Sequence, residues 1–469
     1  MLTRLSLRLR ILLFFCLMAA GGIALAAGAL YVGWARADTP LPAGPFVTVF
    51  VLFAFLNTGL AAVVWLMFDE NVAKPINALA ADLRLRAHSG VAREVDTDAA
   101  RYLGDLAPAA QAMSQILSSS VLASAAEVAQ RTAHLQSEAE RLTSLLTEIP
   151  IATIVLNERM SIVLYDGQAA DILARIAPPR LNAALVDYFY AADLGRAKSR
   201  LNQTRTEVVF DLRDKEAAMT FKAKLKPLDS PGYVLLIDLP TQALTPEGPR
   251  PLVYDFDLLN VGDKTDMREV ALSDSCFVVF DSETTGLSTE KDDVVQLGAV
   301  RVLNGRIVES EVLDCYVNPG RPIPPASTAV HHVSDADVVD APDFVTAART
   351  LHTFCKDAVL VAHNAPFDMA FLRRVEREMG AAWTHPVLDT VLLSAIIFGT
   401  TAEHTLDALC DRLDIHIADD HRHTALGDAQ VTARALVKLI PLLEAKGLRT
   451  LGSVIGESKN FGRLLRDLN

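Results

Sequence analysis

The chain has 469 residues, enough for about three domains, a net charge of −13, and 51% hydrophobic residues. That acidity excludes a protein that wraps long stretches of nucleic acid on a basic surface. Five scattered cysteines without metal-type spacing exclude a disulfide framework and a zinc site, and read as reduced core residues.

The N-terminal region, 1–70, reads as a membrane anchor with two transmembrane helices. Ile11 to Trp34 and Phe46 to Phe68 are almost unbroken apolar runs, each longer than the roughly 20 residues that cross a bilayer. Arg4, Arg8 and Arg10 precede the first run, Lys74, Arg84, Arg86 and Arg93 follow the second, and the connection carries only Arg36 as a cation. The positive-inside rule then puts the N-terminus and everything after the second span in the cytoplasm of a bacterial cell, at the inner membrane. A cleavable signal peptide ending at Ala24-Leu25-Ala26 is the alternative for the first run, but the apolar stretch continues well past that point.

Residues 71–141 begin with Lys74-Pro75-Ile76 and continue in an Ala-, Gln-, Ser- and Glu-rich stretch from Asp105 to Glu148. They resemble the HAMP and coiled-coil linkers beneath bacterial receptor membranes, and a plain helical stalk accounts for them as well. Residues 142–240 resemble a PAS domain. Leu145 to Leu156 gives a helix and a first strand, Asn157 to Met160 a turn, and Ser161 to Tyr165 a second strand. Further strands are expected over Thr206–Leu212, Ala217–Leu225 and Gly232–Asp238. The absence of a cysteine or paired histidine here argues against a flavin adduct or haem. Dimerisation through the stalk and this α+β domain is the expectation, with a sensor role beside it. Residues 241–270, with Pro246, Pro249 and Pro251, read as a linker.

The densest chemistry lies in 271–441. Phe280-Asp281-Ser282-Glu283-Thr284-Thr285-Gly286-Leu287 ends the apolar run that starts at Cys276. In a strand, residues i and i+2 share a face, so Asp281 and Glu283 project together. Two such charges repel unless a cation lies between them, and hard oxygen ligands suit Mg²⁺ or Mn²⁺. Ala358–His363 reads as a buried strand, followed by a turn and a helix opened by Pro366, with Asp368 in its first turn. His423 precedes a further helix that carries Asp428. Four carboxylates and one imidazole are the inventory for two-metal phosphodiester hydrolysis.

These three motifs resemble those of the DEDDh 3′→5′ exonucleases, typified by the proofreading epsilon subunit of bacterial DNA polymerase III. The resemblance covers residues 275–440 and implies an α/β ribonuclease-H-like fold. It implies that Asp281 bridges two metal ions, with Glu283 and Asp428 completing the site for the attacking water and Asp368 supporting the second ion. It makes His423 the general base and Thr284, Leu287 and Asn364 contacts to the terminal nucleotide. His331 is carried over as a residue near the substrate, although the next position, usually glycine in the family, is His332 here. The expected substrate is the 3′ end of single-stranded DNA, with association with a DNA polymerase left open. An RNA exonuclease of the ribonuclease T or oligoribonuclease type is the enzyme alternative, and a membrane sensor that only binds nucleotides is the alternative of a different class.

Around the motifs, Asn304-Gly305 predicts a type I′ hairpin between two strands, which with Cys276–Asp281 makes three antiparallel strands. Helices are expected near Asp343–Lys356 and Thr405–Leu413. Residues 442–469, with Lys446, Arg449, Lys459, Arg463 and Arg466, read as a basic tail in a solvated helix, with contact to nucleic acid or anionic lipid as the alternative.

Overall fold

The structure, a computed structural model, describes residues 7–36, 42–80, 104, 151–229, 231–238, 252–260, 266–416 and 422–469. Apart from residue 104, the expected stalk beyond residue 80 and the helix expected to open the second domain lie outside them. The chain divides into two compact units, Met1–Val121 and Leu122–Asn469.

In the first unit, α1 (Leu7–Ala35) and α2 (Gly44–Phe68) form an antiparallel hairpin, the second opened by Pro45 in its first turn. Their large apolar side chains, Leu25 and Phe55 among them, face outward without cover from protein. Both helices are long and apolar enough to cross a membrane. Polar contacts fix the pairing: Asn57 Nδ2 donates to the Ala19 carbonyl at 3.0 Å, and Arg8 grips Asp69 with Nε 2.7 Å from Oδ1. Gly22 lets the Asn57 amide approach, since a Cβ there would lie 3.3 Å from it.

The second unit begins with an antiparallel sheet. Its strands are β1 (Ile151–Leu156), β2 (Ile162–Tyr165), β3 (Val208–Arg213), β4 (Thr220–Pro227) and β5 (Tyr233–Asp238), in the order β3-β4-β5-β1-β2. Helices α3 (Gly167–Ala174) and α4 (Ala191–Thr204) fill the connection from β2 to β3. Local chemistry sets the turns. Asn157 Oδ1 accepts from the Arg159 and Ser161 amides at 3.0 and 2.9 Å, closing the β1–β2 connection. Asp166 caps α3 by accepting from Ala169 N at 2.7 Å. The segment read as a linker is partly built into the fold. Its β6 (Val253–Tyr254) pairs with the free edge of β2.

The C-terminal part of this unit holds a five-stranded sheet of β7 (Cys276–Thr284), β8 (Val294–Leu303), β9 (Arg306–Tyr316), β10 (Val359–Ala362) and β11 (Val387–Asp389), in the order β11-β10-β7-β8-β9. β7, β8 and β9 are antiparallel neighbours, whereas β10 and β11 run parallel to β7. Asn304 and Gly305 take positive φ values of 49° and 71°, the geometry a two-residue I′ turn requires. Helices α5 (Pro325–His331), α6 (Asp335–Val338), α7 (Phe344–Phe354), α8 (Ala365–Arg374), α9 (Glu376–Met379), α10 (Thr390–Phe398), α11 (Leu406–Leu413), α12 (Ala425–Ala445) and α13 (Leu451–Ser458) surround it. β8 is buried along its whole length, as expected of a strand with layers on both sides.

Two features depart from the sequence expectations. The C-terminal segment packs onto the nuclease instead of trailing in solvent. Leu451, Val454 and Ile455 are buried, and the Asn469 side chain bonds both the amide and the carbonyl of Val387, at 3.0 and 2.6 Å. The basic residues there lie in turns and caps around α13, whose buried apolar face the charge count concealed. The second feature is a bulge in β9. Partners of β8 jump from Val312 to Val308 between Val300 and Arg301, so Glu309–Glu311 loop out.

That bulge aims Glu311 at the β1–β5 domain, the first of the two domains in this unit. Its carboxylate accepts from Tyr165 Oη at 3.0 Å and from Leu181 N at 2.5 Å, and lies 2.8 Å from Arg301 Nε. Arg301 also donates to the Leu181 and Phe354 carbonyls at 3.3 and 3.2 Å. Alongside, buried Arg180 bonds Asp187 at 3.0 Å and the Lys356 carbonyl at 3.2 Å. Leu303, Val308 and Cys276 of the nuclease pack into the apolar core of the first domain.

Candidate active site

β7 delivers Asp281 and Glu283 on one face, as the two-residue spacing demands. Asp428 arrives from the first turn of α12. Ligating atoms of these three residues all lie within 4.8 Å of one another. Two residues of β8 make that approach feasible. Gly298 pairs with Asp281, and a Cβ on it would lie 2.1 Å from the backbone of Ala425 and Leu426, so any other residue would push α12 off the sheet. Gln296 accepts from Ala425 N at 3.2 Å and donates to Asp314 at 2.8 Å, fixing the start of the same helix.

Asp368 is buried in the first turn of α8 and accepts from Ser282 Oγ at 2.5 Å. Its charge is the largest carboxylate influence on Asp281. The turn before it is set by Asp389. This buried carboxylate accepts from Ala365 N at 2.7 Å and Asn364 N at 3.3 Å while also capping α10 through Val391 N at 2.8 Å. Asn364 is exposed with φ 67°. Ser282 and Asp389 were missed by the sequence reading. Ser282 passed as a spacer between two acids, but Leu388-Asp389-Thr390 before an apolar run is an N-cap signal.

Electrostatics mark the cluster as a cation site. Burial raises the Asp281 carboxyl well above the usual range, and Asp368, Glu283 and Asp428 raise it further. Burial, then Asp428 and Asp368, push Glu283 to about 8. Asp368 is raised by burial against the Ser282 hydrogen bond, and Asp428 by burial against the charges of His423 and Arg422. Crowded oxygen donors that resist ionising together fit a hard divalent cation.

His423 is exposed at φ 55°, between two anchored neighbours. Arg422 NH2 bonds Asp407 Oδ1 on α11 at 2.6 Å, and Thr424 caps α12 by accepting from Gly427 N at 3.1 Å. On the other side, Thr284 is buried and donates to the Gly286 carbonyl at 2.7 Å, while Leu287 stands 89% exposed at the tip of its loop. His331 is buried beside the Thr284 backbone, and its Nδ1 accepts from Val333 N at 3.1 Å; burial lowers its pKa. His332 takes the left-handed C-cap position of α5 at φ 61°, which explains why glycine suits that place.

The family described as Exonuclease (RNase T) matches residues 278–436. A DNA polymerase III subunit epsilon-like protein of Rhodobacter capsulatus is 30% identical, with the whole of both chains covered. A PolC-type DNA polymerase III of Bacillus subtilis is 34% identical over 197 residues, 41% of this chain and 13% of the polymerase. This chain therefore spans only a small part of that polymerase's length. Among solved structures, Exonuclease X in complex with 5′ overhanging duplex DNA covers 39% of this chain and 99% of its own at 25% identity, with a TM-score of 0.32.

Proposed function

From the premise that the chain belongs to the DNA polymerase III epsilon-like exonucleases, we propose that it is a membrane-tethered enzyme removing nucleotides from the 3′ end of single-stranded DNA. The observation that carries this reading is the convergence of Asp281, Glu283 and Asp428 from a strand and a distant helix to within 4.8 Å, with Asp368 beside them. Those four carboxylates would hold two divalent cations, Mg²⁺ or Mn²⁺, which when bound lower the pKa of water and neutralise charge on the phosphate. The protein's own groups do the rest. His423, exposed at the rim, takes the proton of the attacking water as general base. Asn364, Thr284, Leu287 and His331 receive the terminal nucleotide. Ser282 and Asp389 keep Asp368 aimed.

The apolar hairpin of α1 and α2 supports tethering, with the nuclease on the cytoplasmic side. The five-strand order 2-1-5-4-3 of the first domain, with its helices between β2 and β3, supports the PAS-like reading of 142–240; dimerisation through this domain and the stalk goes with it.

The test gives the purified chain matched single-stranded DNA and RNA oligomers with Mg²⁺ or Mn²⁺. Laddering of the DNA from its 3′ end, suppressed in His423→Ala, is the expected result. Cleavage only of RNA would move the enzyme to the ribonuclease T class, and no cleavage of either would end the nuclease reading.

A further inference from the structure

Leu287 poses a physical problem: a large apolar side chain stands in water at the tip of a loop built with unusual firmness. The loop connects β7 to β8, and its ends pair with each other: Thr285 N donates to the Asp293 carbonyl at 2.8 Å and Asp293 N to Thr285 Oγ1 at 3.0 Å. Inside it, Ser288 N donates to Asp292 Oδ2 at 2.8 Å, and the bare Gly286 leaves room for that carboxylate, which a Cβ would meet at 2.5 Å.

Two arginines from different parts of the fold close on the same acids. Arg321, after β9, donates to Thr285 Oγ1 at 2.7 Å and Asp292 Oδ1 at 3.1 Å, and its Nε lies 2.8 Å from Asp293 Oδ2. Arg374, the last residue of α8, donates to Asp293 Oδ1 at 2.7 Å and to the Asp292 and Thr289 carbonyls at 2.7 and 3.1 Å. The loop is thus tied to the helix that carries Asp368, while Ser327 Oγ of α5 donates to the Thr285 carbonyl at 2.8 Å. Half-exposed ion pairs of this kind add little to global stability. What they do is remove conformational freedom from one loop, which favours binding when the loop must present a group in a fixed place.

We infer that Arg321 and Arg374, gripping Asp292 and Asp293, are positioning residues that hold Leu287 as a preformed apolar rim for the base of an unpaired 3′-terminal nucleotide. The inference rests on the nuclease reading above, and deepens it by naming what sets the grip on the substrate end. The clamp acts through Leu287 and makes no contact with the reacting atoms, so its loss weakens substrate capture and leaves the chemical step intact.

The test uses the full chain in detergent micelles with Mn²⁺ and a 5′-labelled single-stranded DNA oligomer. Asp293→Asn removes, at nearly constant volume, the one charge that both arginines share. KM should rise by about tenfold, as expected when a positioning contact is loosened, with kcat changed less than about twofold. Leu287→Ala should raise KM to a similar degree, and the double variant should be no worse than Leu287→Ala alone, the non-additivity of two residues acting through one contact. Multiplying effects in the double variant, or an unchanged KM in Asp293→Asn, would overturn the inference. Should Asp293→Asn fold poorly, Arg321→Met and Arg374→Met each release one side of the clamp; a KM rise that persists undiminished in the Leu287→Ala background would overturn it as well. Inactivity of the wild-type chain on every oligomer would instead sink the nuclease reading, so the two failures are distinct.

Discussion

Two groups of acids in the second unit, Glu311 and the cluster around Asp281, sit in opposite surroundings. Glu311 sits at the junction of the two domains, and burial pushes its carboxyl up while Arg301, the Leu181 amide, the Tyr165 hydroxyl and Arg180 all pull it back. At the cluster around Asp281 and Glu283, burial pushes the carboxyls up and each neighbouring carboxylate pushes the same way. The first arrangement is complete within the protein. In the second, Asp281 and Glu283 have no cation among the groups that shift them, a setting that fits cations from outside. The lesson is that burial of an acid says little about role until the sign of every neighbour is known.

The largest test of this contrast is a crossed pair of substitutions. Asp281→Ala should lower nuclease activity by about a hundredfold or more, because metal activation of water is lost, while the metal-free protein melts no lower than wild type, since one of several repelling charges has gone. Oligomer-cleavage assays and thermal melts in chelator check both halves, and a near-normal rate would refute the site. Glu311→Ala should do the reverse. Leaving Arg301 buried without its partner costs about 3–5 kcal/mol of stability, read by denaturant unfolding, while the folded fraction keeps its Mn²⁺ affinity.

A pH series sharpens the same contrast. In the metal-free protein Glu283 keeps its proton up to about 8, against an ordinary value of 4.5, so between those values the folded state holds a proton that the unfolded state has released. The contribution of Glu283 to stability should be greatest below about 4.5 and be lost as pH rises to about 8. Saturating Mn²⁺ should flatten that decline, as seen in melting temperature against pH with and without the ion. An identical slope in both conditions would mean that the cluster does not take metal. The smallest expected effect belongs to Tyr165→Phe, which removes one of the hydrogen bonds to Glu311 and should cost about 1 kcal/mol, with activity unchanged.

Much of the nuclease site was legible because its chemistry is written in spacing: two acids at i and i+2, an acid in a helix's first turn, a histidine before a helix. The hairpin at Asn304-Gly305 was legible for the same reason, since only a few residues accept positive φ at both positions. What escaped the sequence depends on neighbours far along the chain. α10 is apolar on nearly every side, so it has no helical period to betray it. Asp389 looks like an ordinary cap until the turn before Asp368 is seen to hang from it. Gly298 reads as a weak point in a strand until α12 is found against it, and the β9 bulge has no signature in the letters around Glu311.

That bulge bears on how such a protein can be rebuilt. A nuclease moved alone onto another scaffold would uncover the Arg301–Glu311 pair, with an apolar patch at Leu303 and Val308 beside it. A working transplant would have to bring the first domain along. The other route is to exchange Arg301 and Glu311 together for apolar residues of matching volume, a replacement that buried ion pairs often tolerate or even reward. The three looped-out residues Glu309–Glu311 thus make two recognisably separate folds behave, for inheritance and for engineering, as one indivisible piece.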